Sequence, residues 1–310
     1  MTSHDIVNRL RRLYGTRRVG HTGTLDPDAT GVLVVCLGYA TRLAEYLSSA
    51  RKAYRAEFVF GVDTDTQDAS GSTLAEQDAS TLSERVVREA ASCFVGKISQ
   101  TPPMVSAVHH EGRRLYELAR EGITVERQPR DIEIDRLEIL SFTPGIHPQA
   151  TLEIVCSTGT YIRTLAHDMG ERIGVGGMMQ ALRRTWVGDP AQPFCLDESW
   201  TLERLQLLAE QDRLEESVLP VREALRGWKQ ITLSEEAQLR LRHGQSLTNC
   251  ASSQILKGES VSDEESTLVA VLTSQEEVCA IVRISNGVLY PVKVLLPIEE
   301  AQRETAKERA

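Results

Sequence analysis

The stretch "GHTGTLDPDATGVLVVCLG", Gly20 to Gly38, decides how this sequence is read. Its first twelve residues hold three glycines, three threonines, a histidine, a proline and the two aspartates Asp26 and Asp28. A segment so polar reads as a surface turn, yet it runs directly into an apolar "VLVVCLG" that reads as a fully buried strand. Two carboxylates therefore sit at the mouth of a core element. An aspartate beside proline or glycine commonly caps a helix or closes an Asx turn. The functional alternative is a catalytic carboxylate. A glycosidase or nucleoside hydrolase would need a second acid facing the same bond. Residues two apart on a proline-bearing turn seldom supply one, and the sequence names no other candidate.

Working outward, Ser3 is placed to cap a helix whose Ile6, Val7, Leu10, Leu13 and Tyr14 keep a 3.6-residue period. After the loop, "ATRLAEYL" reads as helix. "KAYRAEFVFG" reads as a strand with Tyr54, Ala56, Phe58 and Phe60 on one face. "SERVVREAASCFVG" and "LYELAREG" read as helices, "DIEIDRLEILSF" and "ATLEIVCS" as strands. "YIRTLAHDMGERIG" is an amphipathic helix with Gly174 as its stop. Strand and helix alternate, which predicts α/β or α+β layering. Beyond a boundary near Gly227 the segments shorten into a β-rich unit carrying a polar, acidic insertion, "KGESVSDEES". The last twelve residues offer no apolar stripe and read as a flexible tail.

The 310 residues are 41% hydrophobic and 25% charged, enough for one large and one small core. A formal charge of −9 argues against non-specific coating of nucleic acid. Residues 1–60 nevertheless hold nine Arg and Lys against five Asp and Glu, so one face is basic. The six cysteines, Cys36, Cys93, Cys156, Cys195, Cys250 and Cys279, form no C-x-x-C pair, which reads as reduced thiol usage without a zinc site. No apolar run reaches membrane-span length, and the N-terminus has no signal-peptide core, so a cytoplasmic protein is expected. "DTDTQDASG", from Asp63, alternates carboxylates like a calcium loop but has Asp68 where the turn needs glycine and Leu74 where a bidentate glutamate belongs. Neighbouring His109 and His110 would point opposite ways on a strand, and "GVGG" at 174–177 lacks the order of a dinucleotide fingerprint. No metal and no cofactor are expected.

"GHTGTLDPDATGVLVVCLGYATRLAEYL" closely resembles the signature of the bacterial tRNA pseudouridine-55 synthases, the TruB family. Similar segments follow in family order: "KAYRAEFVFGVDTDTQDASG", "QTPPMVSAVHHEGRRLYELAREGI", "CSTGTYIRTLAHDMGERIGVGGMMQALRRTWVG" and "GVLYPVKVLLP". One element differs: the family's K-P-x-G upstream of Thr2-Ser3 is absent. The resemblance implies an α+β pseudouridine-synthase fold with a mixed, largely antiparallel central sheet flanked by helices. It places the catalytic domain over 1–227, a small β-rich, PUA-like RNA-binding domain over 228–298 and a tail over 299–310.

The implied reaction is the isomerisation of a uridine in the T-arm loop of tRNA to pseudouridine, without cofactor, metal or obligate protein partner. Nothing leaves, so one carboxylate suffices. Asp26 is then the nucleophile and Asp28 a turn residue. Arg163 is its cationic partner, Tyr54 stacks on the flipped base and assists loss of the C5 proton, and Leu182 lines the pocket. His21 fills the space the base vacates, with Gly23, Thr24, Arg183 and Arg184 completing substrate contact. Arg11, Arg12, Arg17, Arg18, Arg113 and Arg114 are candidate phosphate ligands. A non-catalytic tRNA-folding chaperone and a related synthase acting on another RNA are the alternatives.

Overall fold

The computed structural model describes residues 1–248, 255–258 and 268–295. The expected tail 299–310, residues 296–298 of the β-rich unit, Cys250 and the acidic insertion beyond Gly258 lie outside the described residues. Among the described residues no helix is long and apolar enough to cross a membrane.

The first helix, α1 (Ser3–Leu13), opens with a capping box. Thr2, not Ser3, is the cap: its hydroxyl accepts from the Asp5 N–H, and the Asp5 carboxylate accepts from the Thr2 N–H. Ser3 is thereby released for another task. Its hydroxyl accepts the Leu25 N–H at 2.9 Å and donates to the Leu25 carbonyl at 3.3 Å, tying the helix to the polar loop. Val7 and Leu10 pack on Val19 and Leu205.

The run "VLVVCLG" is not one buried strand. Gly31 takes a φ of +110°, and the chain bends there. The result is a short β2 (Thr30–Gly31) and a separate β3 (Val35–Leu37) that pairs antiparallel with β1 (Val19–His21). At Gly31 a Cβ would lie 2.1 Å from the Arg184 carbonyl oxygen, so glycine is required by space as well as by angle. "ATRLAEYL" coils first as a 3₁₀ segment over Gly38–Leu43 and only then as α2 (Ala44–Ser48).

The central sheet is mixed and mostly antiparallel. Its strands are β4 (Arg51–Phe60), β5 (Gly96–Gln100), β6 (Arg130–Thr143), β7 (Gln149–Cys156), β8 (Gly177–Asp189) and β9 (Gln192–Cys195), in spatial order β9-β8-β4-β7-β6-β5. β2 adds to β8 as the one parallel pair. Tyr54, Ala56, Phe58 and Phe60 do share a buried face, as the alternation predicts. Against them lie Leu152 and Ile154 of β7, Val87 of α3 (Glu84–Ser92), and Leu165, Ala166 and Met169 of α5 (Ile162–Ile173). The intervening helix α4 covers Leu115–Arg120, and α5 covers Ile162–Ile173 with Gly174 as its left-handed C-cap. Each large apolar side chain buried here stabilises the fold by about 1.5–3 kcal/mol before entropy is set against it.

A second sheet holds β10 (Gln230–Leu233), β11 (Ile255–Gly258), β12 (Leu268–Leu272), β13 (Val278–Ser285) and β14 (Val288–Val294), ordered β11-β10-β12-β13-β14. Val269, Val271, Ala280 and Val282 form its own core with Leu241 and Leu289. It also meets the first part of the chain: Leu272, Val278 and Ile281 pack with Cys36, Leu43 and Leu47, and the Tyr46 and Trp228 rings meet edge-on at 5.7 Å.

α5 approaches β8 so closely that a Cβ on Gly170 would fall 2.2 Å from the Gly176 carbonyl carbon and the Gly177 nitrogen. Gly170→Ala is expected to cost about 1–3 kcal/mol through overpacking and to lower Tm by about 2–4 °C per kcal/mol. Thermal unfolding checks this, and an unchanged Tm contradicts the packing described.

Candidate active site

The loop between β1 and β3 is held at several points. The Thr22 N–H donates to the Val34 carbonyl at 3.1 Å, the Ala29 N–H closes a turn onto the Asp26 carbonyl, and Ser3 fixes Leu25 from both sides. This leaves the Asp26 side chain directed at α5. Asp26 Oδ1 lies 3.4 Å from Arg163 Nη2, at a cleft where 35% of the Asp26 side chain but only 6% of the Arg163 side chain reaches solvent.

Arg163 is the second residue of α5, and the start of that helix is fixed by Gln100. The Gln100 amide accepts the Tyr161 N–H at 2.8 Å and donates to the Tyr161 carbonyl at 3.1 Å. Arg163 Nη2 also donates to the Val105 carbonyl at 2.7 Å, and Nη1 to Asp68 Oδ2 at 3.2 Å. One guanidinium thus bridges two carboxylates that are 42 residues apart in sequence.

Asp68 was not singled out as a site residue by the sequence. It belongs to the acidic run "DTDTQDASG", whose aspartates diverge: Asp63 accepts the Gly177 N–H, Asp65 the Ser72 N–H, and Asp68 faces the cleft. Its Oδ1 accepts from the Thr66 hydroxyl, the Ser70 hydroxyl and the Ser70 N–H at 2.7, 2.5 and 3.0 Å. Burial would raise this carboxyl, but those donors and Arg163 hold it below the ordinary carboxylate range. Asp68 is therefore a fixed anion. Asp26 differs. Burial pushes its carboxyl above the ordinary value, Arg163 pulls it back, and the charges of Asp68 and Asp28 add to the rise. Asp28 itself is exposed.

Tyr54 is 7% exposed, and burial raises its phenol to about 12. A phenol so hard to ionise is a neutral ring at ordinary pH. His21 sits half-buried on β1, its Nδ1 accepting the Gly23 N–H at 3.3 Å, and burial followed by the nearby Arg184 charge lowers its pKa. Thr24 is exposed. Leu182 is partly buried against the main core, opposite Ala56.

The paired arginines separate. Arg183 is exposed and lies across from Arg55 on the face of β8 opposite that of Leu182 and Tyr54. Arg184 is 1% exposed and donates to backbone carbonyls of the loop itself. A side chain so enclosed is unavailable to RNA, which corrects the expectation for Arg184 and moves Arg183 away from the cleft. Arg12, Arg17, Arg113 and Arg114 are exposed, Arg113 in an ion pair with Glu121.

Two family models match the chain: the TruB family pseudouridylate synthase N-terminal domain over 11–162, and the tRNA pseudouridylate synthase B C-terminal domain over 163–226. The tRNA pseudouridine synthase B of Symbiobacterium thermophilum is 52% identical over 244 residues, 79% of this chain and 78% of the relative. That of Dehalococcoides mccartyi is 39% identical over 297 residues, 96% of this chain and 93% of the relative. Among solved structures, a Cbf5-Nop10-Gar1 complex matches with a TM-score of 0.72 at 24% identity, covering 97% of this chain and 83% of that one. An H/ACA RNP bound to a substrate RNA containing 2′-deoxyuridine matches with a TM-score of 0.71 at 24% identity, covering 96% and 82%. These two establish likeness of fold.

Asp68→Asn removes a charge that raises the Asp26 pKa, so the acidic limb of the pH–rate profile is expected to move to lower pH. The maximal rate is expected to fall about tenfold, because Arg163 exchanges an ion-paired carboxylate for a neutral amide oxygen and is held less firmly. A limb that moves upward contradicts the assignment.

Proposed function

The chain belongs to the TruB family of pseudouridylate synthases, and from that premise we propose that it isomerises a uridine in the T-arm loop of tRNA with Asp26 as nucleophile. The enzyme class, an isomerase that makes pseudouridine, follows from membership. The tRNA substrate is supported by the names of the relatives, the T-arm position by the motif resemblance. The observation that carries the mechanism is Asp26 sharing the buried Arg163 guanidinium with Asp68.

In the reaction the N1–C1′ bond breaks, the uracil turns, and C5 bonds to C1′ while N1 gains a proton and C5 loses one. The atoms balance without a co-reactant. A nucleophilic carboxylate must be ionised in a site dry enough to retain the free base, and those demands oppose one another. Arg163 reconciles them by compensating the charge of Asp26 where water is scarce, while its bonds to Asp68 and Val105 keep the guanidinium in place. The carboxylate serves attack at C1′, attack on the base and elimination to a glycal alike; in each it is the group that must be charged and aimed.

A uridine stacked within the T-loop cannot bring its reacting atoms to a carboxylate held beside the buried Arg163, so the base is everted, at a cost of about a few kcal/mol. The neutral Tyr54 ring provides an apolar surface for it. His21, with neutral imidazole favoured, stands at the loop entrance to fill the gap. Exposed Arg12, Arg17, Arg113 and Arg114 supply phosphate contacts, and the β-rich unit from 228 onward adds a PUA-like RNA surface.

Asp26→Asn is expected to abolish tritium release from tRNA labelled at uracil C5, by at least about 10⁴-fold, with tRNA affinity held within about threefold. Retained release contradicts the nucleophile assignment. Release of free uracil by the native protein would indicate hydrolysis instead.

A further inference from the structure

Arg184 is the bulkiest of the wholly buried side chains among the described residues, and no step of the isomerisation uses it. A buried guanidinium ordinarily needs a carboxylate. Among the described residues Arg184 has none within ion-pair distance. It is satisfied by the catalytic loop: Nε donates to the Val32 carbonyl at 2.7 Å, Nη2 to Gly23 at 3.0 Å and Nη1 to Thr24 at 3.4 Å. These carbonyls come from both limbs of the loop, so one planar group spans it from within.

The backbone of the same residue acts in concert. The Arg184 carbonyl accepts the Val32 N–H at 2.9 Å, and Arg184 stands opposite Gly31 in β2 on one side and Tyr54 in β4 on the other. Tyr54 is thus the direct cross-strand neighbour of the residue that supports the loop. Lys52, two residues from Tyr54 on the same strand face, completes the floor. Its ammonium is committed to the Ser48 and Ala50 carbonyls at 3.1 and 2.9 Å. A Cβ added at Gly23 would lie 3.1 Å from Lys52 Cε and 3.7 Å from Arg184 Nη1. Burial, and after it the charge of Arg184, lowers the Lys52 ammonium to about 8.

We propose that Arg184 is a positioning residue for isomerisation: by gripping the carbonyls of Gly23, Thr24 and Val32 it holds Asp26 on Arg163. Arg184 never touches the RNA. Its effect falls on the chemical step, because an error of about 1 Å in the aim of a catalytic group costs about 10²-fold in rate. The proposal rests on Asp26 being the group that is aimed.

The test compares single-turnover conversion of uridine, with enzyme saturating over tRNA, for native enzyme, Arg184→Met, Arg184→Lys, Gly23→Ala and the Arg184→Met/Gly23→Ala pair. Arg184→Met is expected to slow the step about 100-fold with tRNA Kd within about threefold, and Arg184→Lys, which keeps a donor, to recover part of the loss. Gly23→Ala crowds Lys52 Cε and places a methyl against the same guanidinium, so its effect and that of Arg184→Met are expected to be less than additive. Native rates per folded molecule in Arg184→Met, or a loss confined to Kd or Tm, overturn the proposal. If Arg184→Met does not fold, the decision falls to Arg184→Lys and Gly23→Ala: a slowed step at unchanged Kd supports positioning, and native rates in both overturn it. Asp26→Asn measured alongside separates the two failures, since turnover in that variant removes the premise while leaving the loop geometry in place.

Discussion

A single guanidinium placed between two carboxylates governs this structure. Arg163 is almost wholly buried, and a buried cation is expensive unless it is well paired. Asp68 and the Val105 carbonyl use two of its donors before Asp26 is counted. The two aspartates are therefore unequal partners. Asp68, with three further donors on its other oxygen, is an anion by construction. Asp26 has only the longer contact at 3.4 Å and a partly open face, the arrangement that the proposed nucleophile requires. Removing one partner of such a group leaves a buried charge uncompensated, so most changes at Arg163 would cost fold as well as function.

The rest of the fold delivers three segments to that point. Gln100 fixes the start of α5 by its Tyr161 peptide, Thr66 and Ser70 shape the turn that presents Asp68, and Ser3 with Arg184 sets the loop that carries Asp26. Each support is a polar side chain hydrogen-bonded within the segment it holds or across to it, and the three sets come from different parts of the chain. β4 and β8 form the rigid platform beneath, since Tyr54 and Arg184 are direct neighbours across their pairing. Binding sites built on such paired strands keep their aim better than free loops do.

Much of this was legible in the sequence. The alternation in "KAYRAEFVF" gave the buried face of β4, and the 3.6-residue period gave α5 with its glycine stop. Asp26 and Arg163 were found through motif resemblance, and they do meet. What escaped was whatever depends on contacts distant in the chain. Asp68 looked like a failed calcium loop because its role needs a cation 95 residues away. "RR" at 183–184 offered two equal arginines, and only the strand alternation shows that one is surface and the other core. "VLVVCLG" has the composition of one strand, but only Val35–Leu37 forms one: the left-handed Gly31 just before it lies against the Arg184 carbonyl, which takes the Val32 N–H. Local composition carries no trace of that close approach.

The central claim is that Arg163 keeps Asp26 ionised in a cleft that would otherwise protonate it. Carbon-13 NMR of the aspartate carboxyl carbons, assigned with Asp26→Asn and titrated in native enzyme and in Arg163→Met, measures this directly. Asp26 is expected to titrate above the ordinary carboxylate range in the native enzyme and higher still once the guanidinium is gone. An Asp26 midpoint that stays put or falls in Arg163→Met would contradict the account.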